Sequence, residues 1–364
     1  MKITSMGIDP CIMRKEDPTW RFALGASPTT EGWIVSIHTD EGTIGYGYAS
    51  ATAHMGASME GLKGTLERLE PTLVDRDPLD MAAIRVALDH ALSGNNQAKA
   101  GIDNALFDLA ARSMGVPLNR LFGGVVNREF PVLRILAIKT PVEMAEQAQI
   151  LADQGYNYFK IKVHGEVAED VACVAAIRKQ LGDDAHLTID ANQSYSTKDA
   201  IAALNRMAEY NIDLVEQPVR IDDLKGLKLV TDSVPVAVEA DESAGSLAEV
   251  AYLVEHRVVD AVSLKVAKLG GLWNTMMAAQ ICATGNISYR FGAHVGSRLL
   301  NAHAMQLAAA LPHVWYACEF GEFARLLDDP FEGIDVVDGV IHLPEGPGAG
   351  VEPCADSGLA RSAG

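Results

Sequence analysis

The sequence predicts an α/β protein, a modified TIM barrel of the (β/α)7β type that follows an α+β N-terminal domain. Short apolar runs alternate with helical patterns from near residue 130, as in a parallel barrel. Charged residues stand near the ends of five of these runs, at steps of 28, 26, 25 and 24 residues. Such steps suit one strand, one helix and two loops. The five residues are Lys162, Asp190, Glu216, Asp241 and Lys265.

The first 50 residues indicate a three-stranded antiparallel unit. Residues 33–38 alternate between apolar and polar side chains, a turn follows at Asp40-Glu41-Gly42, and residues 45–48 resume a strand. We assign residues 1–125 to an α+β domain because they lack the barrel period. The helices predicted in this domain are 58–70, 78–93 and 98–114.

Residues 126–324 are assigned to the barrel. The polar segment 325–364 is expected to pack back onto the first domain and complete it, with disorder at 355–364. The predicted strands are 131–137, 157–162, 186–190, 213–216, 236–240, 260–265, 287–292 and 314–319. The predicted helices are 142–154, 168–181, 197–209, 222–232, 246–256, 272–284 and 297–310.

Composition narrows the class of protein. A chain of 364 residues with 48% apolar residues suits two domains around a large core. A formal net charge of −18 argues against nucleic acid or an anionic membrane as partner, and leaves a small-molecule carboxylate possible at a locally positive site. The five scattered cysteines, and the lack of a signal-peptide or membrane-spanning pattern, predict a cytoplasmic protein. Homo-oligomers are common for this architecture, so we expect one.

Three acids at neighbouring strand ends indicate a metal site. Asp190, Glu216 and Asp241 end the third, fourth and fifth predicted strands, and three adjacent carboxylates cannot all stay ionised without a cation. Hard oxygen ligands favour Mg²⁺, with Mn²⁺ as a competitor. Asn192 lies two residues beyond Asp190 on the same face. It is expected to support that ligand or to contact a metal-bound water.

Two lysines are predicted on opposite walls of the barrel. Lys162 ends the second strand and Lys265 the sixth, four positions apart in a ring of eight. This arrangement suits removal of a proton α to a carboxylate, with a divalent ion stabilising the enediolate. Lys160 shares its face of the strand with Lys162. We expect it to tune the pKa of Lys162 and to contact the substrate carboxylate.

Several motifs carry a family resemblance that covers nearly the whole chain. They include Lys160-Ile161-Lys162, Asp190-Ala191-Asn192, Glu216-Gln217-Pro218, Asp241-Glu242-Ser243, Ser263-Leu264-Lys265 and Lys268-Leu269-Gly270-Gly271. Together they resemble the enolase superfamily in its muconate lactonizing subgroup, part of the mandelate racemase/muconate lactonizing enzyme family. This superfamily is a standard example of a lysine base that acts with Mg²⁺.

The resemblance implies roles for residues in both domains. It implies Mg²⁺ held by the three carboxylates and acid/base roles for Lys162 and Lys265. It also implies that the N-terminal domain caps the barrel mouth through two loops that contact the substrate. These loops would be about 14–29, with Trp20 and Arg21, and about 50–57, with His54.

Two strand ends leave alternatives open. The seventh carries His294 where muconate lactonizing and succinylamino-acid-racemizing relatives usually have a Glu, so His294 either contacts the substrate or is structural. The eighth ends at Glu319. That carboxylate either holds a cationic group of the substrate or pairs with a cation such as Lys162 or Arg134.

The leading hypothesis is an isomerase, a racemase or epimerase of an amino-acid derivative, a betaine or a related carboxylate. Two amines on opposite walls suit proton removal from one face and return to the other. A lyase of the hydroxyproline-dehydratase type and a muconate-type cycloisomerase share the first step. Two further alternatives are a glycoside hydrolase that uses Glu216 and Glu319 and a non-catalytic binding barrel.

Overall fold

A three-stranded antiparallel sheet opens the chain in the computed structural model, which describes residues 1–359. The predicted unit within residues 1–50 is therefore confirmed. A short hairpin of two strands, each two residues long, lies between its first and second strands. The strands are β1 (Ile3–Arg14), β2 (Arg21–Phe22), β3 (Gly25–Ala26), β4 (Thr29–Thr39) and β5 (Ile44–Ser50), and the sheet order is β1-β4-β5.

Three helices cover this sheet: α1 (Met59–Leu69), α2 (Met81–Ala91) and α3 (Asn96–Ser113). Helix α1 begins after Ser58, whose hydroxyl accepts a hydrogen bond from Gly61 N at 3.1 Å. Helix α3 lies directly against β5, because a Cβ atom at Gly47 would stand 2.0 Å from the backbone oxygen of Gly101. Glycine at position 47 therefore sets the distance between helix and sheet.

Seven parallel strands form the barrel wall, each ending close to its predicted position. The strand β6 (Glu129–Pro131) precedes them. They are β7 (Leu133–Leu136), β8 (Tyr158–Lys162), β9 (His186–Asp190), β10 (Ile212–Glu216), β11 (Ala237–Ala240), β12 (Ala261–Leu264) and β13 (Ser288–Phe291), hydrogen-bonded in chain order.

The prediction of a continuous eighth strand at 314–319 is wrong. This segment makes isolated parallel bridges instead, Val314 with Tyr289 and Cys318 with Val132. Tyr316 has φ +69°, which interrupts the extended backbone between the two bridges. The segment still lies between β13 and β7, so it closes the ring of the (β/α)7β barrel.

The barrel helices occur where they were predicted, to within a few residues. One short helix directly after Lys265 was not predicted. Thr140 and Glu143 form a capping box at the start of the first barrel helix. The helices are α4 (Pro141–Ala152), α5 (Val167–Leu181), α6 (Thr197–Met207), α7 (Leu224–Ser233), α8 (Leu247–Glu255), α9 (Val266–Leu269), α10 (Leu272–Thr284) and α11 (Arg298–Ala310).

The C-terminal segment contacts both parts of the chain. Its strands are β14 (Phe331–Glu332), β15 (Val340–His342) and β16 (Glu352–Pro353); β15 pairs with β6, and β14 with β16. Arg112 of α3 forms an ion pair with Glu352 at 2.9 Å. The division of the chain at residue 125 stays a prediction. The predicted disorder of 355–364 is not found at 355–359, which form a turn, and 360–364 lie outside the described residues.

Two further observations concern the whole described chain. All five cysteines are free thiols. Within residues 1–359, no helix is both long enough and apolar enough to cross a membrane.

Gly47→Ala should destabilise the fold, because the new methyl group would overlap the backbone oxygen of Gly101. Overpacking of this kind costs about 1–3 kcal/mol. Gly64→Ala is the matched control, since a Cβ atom there meets nothing within 4 Å and Gly64 lies inside α1. Urea denaturation of both variants tests this. Equal stability of the Gly47→Ala variant and wild type would contradict the close packing of α3 on β5.

Candidate active site

The predicted lysines and acids meet at the C-terminal end of the barrel strands. Lys162 pairs in register with Asp190, Asp190 with Glu216, and Glu216 with Glu239 across β8 to β11. Strands in parallel register end at one edge of a sheet, so these side chains are neighbours. Asp241 lies one residue beyond the end of β11.

Each predicted acid/base lysine is held by a carboxylate. Lys162 Nζ lies 2.5 Å from Asp190 Oδ2, and it donates a second hydrogen bond to Asn192 Oδ1 at 2.7 Å. Lys265 Nζ binds Asp241 Oδ2. All five side chains are buried. Burial lowers the pKa of Lys265, but the charges of Asp241 and other acids outweigh burial and raise that pKa above its ordinary value.

Asp241 has a second lysine partner that the sequence interpretation gave no role. Lys268 Nζ lies 2.6 Å from Asp241 Oδ1, so one lysine binds each carboxylate oxygen. Gln217 supports the same residue, because its side-chain oxygen accepts from Asp241 N at 3.0 Å. Burial raises the pKa of Asp241, but the two lysines outweigh it and hold that pKa well below its usual range. The only sequence signal for Lys268 was its place in the Lys268-Leu269-Gly270-Gly271 motif.

Beneath this level lies a buried network that we call the lower charge layer. Lys160 Nζ binds Glu216 Oε2 at 2.6 Å and also binds Glu319 Oε1. Arg290 Nη2 lies 2.6 Å from both Glu216 Oε2 and Glu239 Oε2, and Arg290 Nη1 lies 2.7 Å from Glu319 Oε1. The layer consists of Lys160, Glu216, Glu239, Arg290 and Glu319.

Sequence reasoning missed Arg290 and Glu239. The available signal was a charged residue in the interior of a predicted barrel strand, β13 for Arg290 and β11 for Glu239. Glu239 also lies two residues before Asp241. Burial and the charge of Glu216 raise the pKa of Glu239 to about 8, although Arg290 opposes the shift.

Substrate contact for Glu319 stays a prediction, and the surroundings of its carboxylate do not favour it. Its carboxylate is fully buried, binds Lys160 and Arg290, and is not among the residues that line the cavity at the barrel mouth. The other alternative, pairing with a cation of the protein, agrees with the structure, although the partners are Lys160 and Arg290 and not Lys162 or Arg134. A strand count could not show how far below the barrel mouth this side chain lies.

His294 lines the cavity, but both of its ring nitrogens bind backbone groups. Nε2 accepts from Val266 N at 3.0 Å, and Nδ1 donates to Gly292 O at 2.7 Å. These partners fix a neutral tautomer with the proton on Nδ1. Burial lowers the pKa of His294 to about 4. We therefore expect His294 to contact the substrate only through the apolar surface of its ring.

A cavity of about 410 Å³, here called the reaction cavity, lies between the barrel mouth and the N-terminal loops. Both predicted loops reach it. The Phe22 ring centroid lies 5.5 Å from those of Trp20 and His54, and all three side chains line the cavity. Arg21 is exposed and lies outside this lining. The barrel contributes Lys160, Lys162, Asp190, Asn192, Lys265 and His294.

The carboxylates have the donor chemistry that Mg²⁺ prefers. Glu216 Oε1 and Glu242 Oε2 are buried oxygens without a hydrogen-bond partner. Burial and the charges of Asp241 and Asp190 raise the pKa of Glu242 to about 7. These observations fit a hard cation. Within residues 1–359, however, no three His, Cys, Asp or Glu side chains are arranged as a metal centre. Lysines bind Asp190 and Asp241 instead.

A parallel barrel with lysines and carboxylates at the C-terminal ends of its strands is the architecture of a TIM-barrel enzyme. Two family models match the chain, and together they cover most of it. The mandelate racemase/muconate lactonizing enzyme N-terminal domain matches residues 9–123, and the enolase C-terminal domain-like model matches residues 143–357. The chain belongs to the mandelate racemase/muconate lactonizing enzyme family of the enolase superfamily.

Named relatives give the class of enzyme. A hydrophobic dipeptide epimerase from Enterococcus faecalis is 35% identical, with 81% of this chain and 84% of the relative covered. An N-succinyl-L-Arg/Lys racemase from Bacillus cereus is 30% identical, with 97% and 95% covered. A chloromuconate cycloisomerase from Cupriavidus necator is 32% identical, with 92% and 94% covered. All are isomerases by name, and the chain is an enzyme of that class.

A solved structure extends the comparison to the fold. The Enterococcus faecalis V583 dipeptide epimerase, complexed with Mg and the dipeptide L-Leu-L-Tyr, matches with a TM-score of 0.93 at 31% identity. The match covers 97% of this chain and 100% of that one.

Arg290→Met should destabilise the protein strongly, because three carboxylates of the lower charge layer would lose a shared cation. Loss of one partner from a buried ion network costs about 3–5 kcal/mol. The destabilisation should shrink as the pH falls towards 5, because Glu239 loses its cation partner and its raised pKa lets it take up a proton more readily in the folded state.

Denaturant unfolding at pH 8 and pH 5 measures the effect. Arg206→Met is the control, since Arg206 is exposed on α6. If the two variants had the same stability at pH 8, Arg290 would not be the counter-ion of the layer.

Proposed function

We propose that the protein racemizes or epimerizes an amino-acid derivative at the carbon α to a carboxylate, with Mg²⁺ bound beside that carboxylate. One observation carries this proposal: Lys162 and Lys265 line one cavity from β8 and from the end of β12, with three strands between them. Amines that reach a substrate from two walls suit a transfer in which one removes the α proton and the other returns it. The epimerase and racemase relatives support this choice.

The two lysines exchange roles with the enantiomer that is bound. One must be a neutral amine to accept the α proton, and the other an ammonium to donate one. Asp190 is the counter-ion of Lys162 and Asp241 that of Lys265, so each ammonium group has a carboxylate partner when it acts as the acid. Lys160 also lines the cavity, but Glu216 and Glu319 bind its ammonium group, so its contact with the substrate carboxylate stays a prediction.

Asp190, Glu216 and Asp241 would hold the ion, and Asn192 would support Asp190 through its backbone N–H, 3.0 Å from Asp190 Oδ1. A bound Mg²⁺ would supply positive charge where the substrate carboxylate gains electron density. Mn²⁺, which accepts the same oxygen ligands, is expected to substitute for it.

The alternatives are separated by the step that comes after the α proton leaves. A dehydratase would expel water, and a cycloisomerase would open or close a ring. Glycoside hydrolysis is disfavoured, because Glu216 and Glu319 both bind Lys160 and neither lines the reaction cavity. Dipeptides, N-succinyl amino acids, betaines and hydroxyprolines should be screened in heavy water with Mg²⁺. Exchange of the α proton without loss of water supports the proposal, and dehydration or ring closure alone contradicts it.

Lys162→Ala and Lys265→Ala should each abolish racemization, with a loss of at least about 10²–10⁴-fold. Each variant should still exchange the α proton of one enantiomer only, because one base remains on one wall. Proton NMR in heavy water with each pure enantiomer measures this. Lys198→Ala is the control, since Lys198 is exposed on α6. Full turnover by either active-site variant would remove that lysine from the mechanism.

Excess EDTA should abolish activity, and added Mg²⁺ or Mn²⁺ should restore it. Asp241→Asn should weaken Mg²⁺ binding by at least about tenfold, because a charged ligand becomes neutral. Calorimetric titration with Mg²⁺ measures affinity without turnover. Exposed Asp232→Asn on α7 is the control. Activity that persists after chelation, with no Mg²⁺ bound, would exclude the metal from the reaction.

A further inference from the structure

A second cavity, of about 230 Å³, lies beside the reaction cavity, and we call it the side cavity. It is bounded by residues 15–20 of the N-terminal part, by β7 and by α4. Lys15, Trp20 and Ile135 line both cavities, so these side chains form the shared wall. Ile135 is in register with Lys160, and Arg134 points to the opposite face of β7, towards the side cavity.

Three cationic side chains from distant parts of the chain meet here: Lys15 and Arg134, which are buried, and Arg325, which is partly buried. Arg134 is 8% exposed, and its Nε and Nη1 have no hydrogen-bond partner. Lys15 Nζ lies 4.0 Å from the centroid of the Trp20 ring and has no carboxylate partner within residues 1–359. Arg325 contacts Glu322. Trp20 Nε1 is a further buried donor without an acceptor.

Within the described part of the chain, the acids near the side cavity leave Lys15 and Arg134 without a carboxylate partner. Asp17 lies 3.1 Å from Lys139 and accepts hydrogen bonds from Thr19, and Glu16 is exposed. Buried cations without partners are strongly unfavourable unless a ligand or counter-ion compensates them. Burial and the charge of Arg325 lower the pKa of Lys15 to about 8, which is a second sign of missing negative charge.

We propose that the side cavity binds an anionic group with several acceptor oxygens, a carboxylate or a phosphate, through Arg134, Lys15 and Arg325. Arg134 offers parallel N–H donors that suit such a group, and Trp20 Nε1 adds a neutral donor. The anion has two possible sources. It is the acidic distal end of a substrate whose reacting end lies in the reaction cavity, an option that rests on the proposed function, or it is a separate small anion.

An anion in the side cavity would also act on the reaction cavity. Lys15 and Trp20 stand in the shared wall, and Trp20 stacks near Phe22, which lies 5.6 Å from Lys162 Nζ. Binding would therefore fix the part of the capping loop that closes over the predicted base. Substrate selectivity and the order of the loop should both depend on Arg134.

The direct test is calorimetric titration of the full chain in EDTA with inorganic phosphate and with glutarate. Wild type should bind at least one probe, and Arg134→Met should weaken that binding by at least tenfold, with Arg206→Met as the exposed control. Arg134→Met should unfold at no lower temperature than wild type in anion-free buffer, because it removes an unpaired buried charge. Absence of binding to wild type, or equal binding by the Arg134→Met variant, overturns the proposal.

Kinetics then identifies the source of the anion. If the substrate supplies it, Arg134→Met should raise KM for substrates with an acidic distal group at least tenfold more than it raises KM for neutral substrates. If a free anion supplies it, phosphate should raise kcat/KM for neutral substrates in wild type and not in the variant. Because the titration needs neither metal nor turnover, its result is independent of whether the racemase proposal succeeds.

Discussion

Charge compensation between lysines and carboxylates at the barrel mouth is the constraint on which the rest of the site depends. Asp190 and Asp241 are buried, and each is stable as an anion only because a lysine contacts it. The same contact stabilises the ammonium form of Lys162 or Lys265. Acid and base are therefore one unit, and any event that moves a proton at a lysine changes the environment of its carboxylate. An added cation would compete with the lysines for these carboxylates, and an added anion would compete with the carboxylates for these lysines.

The lower charge layer connects this mouth to the body of the barrel. Glu216 belongs to both levels: its Oε2 binds Lys160 and Arg290, and its Oε1 has no partner. Its orientation is thus fixed from below while one oxygen stays available. The layer holds three acids and two cations, and the raised pKa of Glu239 means that this acid can carry the proton that balances the charge.

Strand order made part of the site predictable from the sequence, whereas depth within the barrel and loop geometry were not predictable. The proximity of Lys162 and Asp190 was predictable because parallel strands end at the same edge of a sheet. A strand count does not give the depth of Glu319 in the barrel, and no propensity rule anticipates the positive φ of Tyr316. His294 looked like a substrate ligand because its partners are backbone atoms of Val266 and Gly292, which a side-chain pattern does not reveal.

The side cavity shows why net charge is a poor guide to local binding. The chain carries −18 overall, yet Lys15 and Arg325 meet because the segments that bear them pair: Lys15 bridges Leu326, and Glu16 N donates to Arg325 O at 3.0 Å. This pairing ties the loop over the reaction cavity to the chain that leaves the eighth barrel position. Charge in the side cavity and closure of the reaction cavity therefore depend on the same backbone contact, so a change that loosens this contact affects both cavities together.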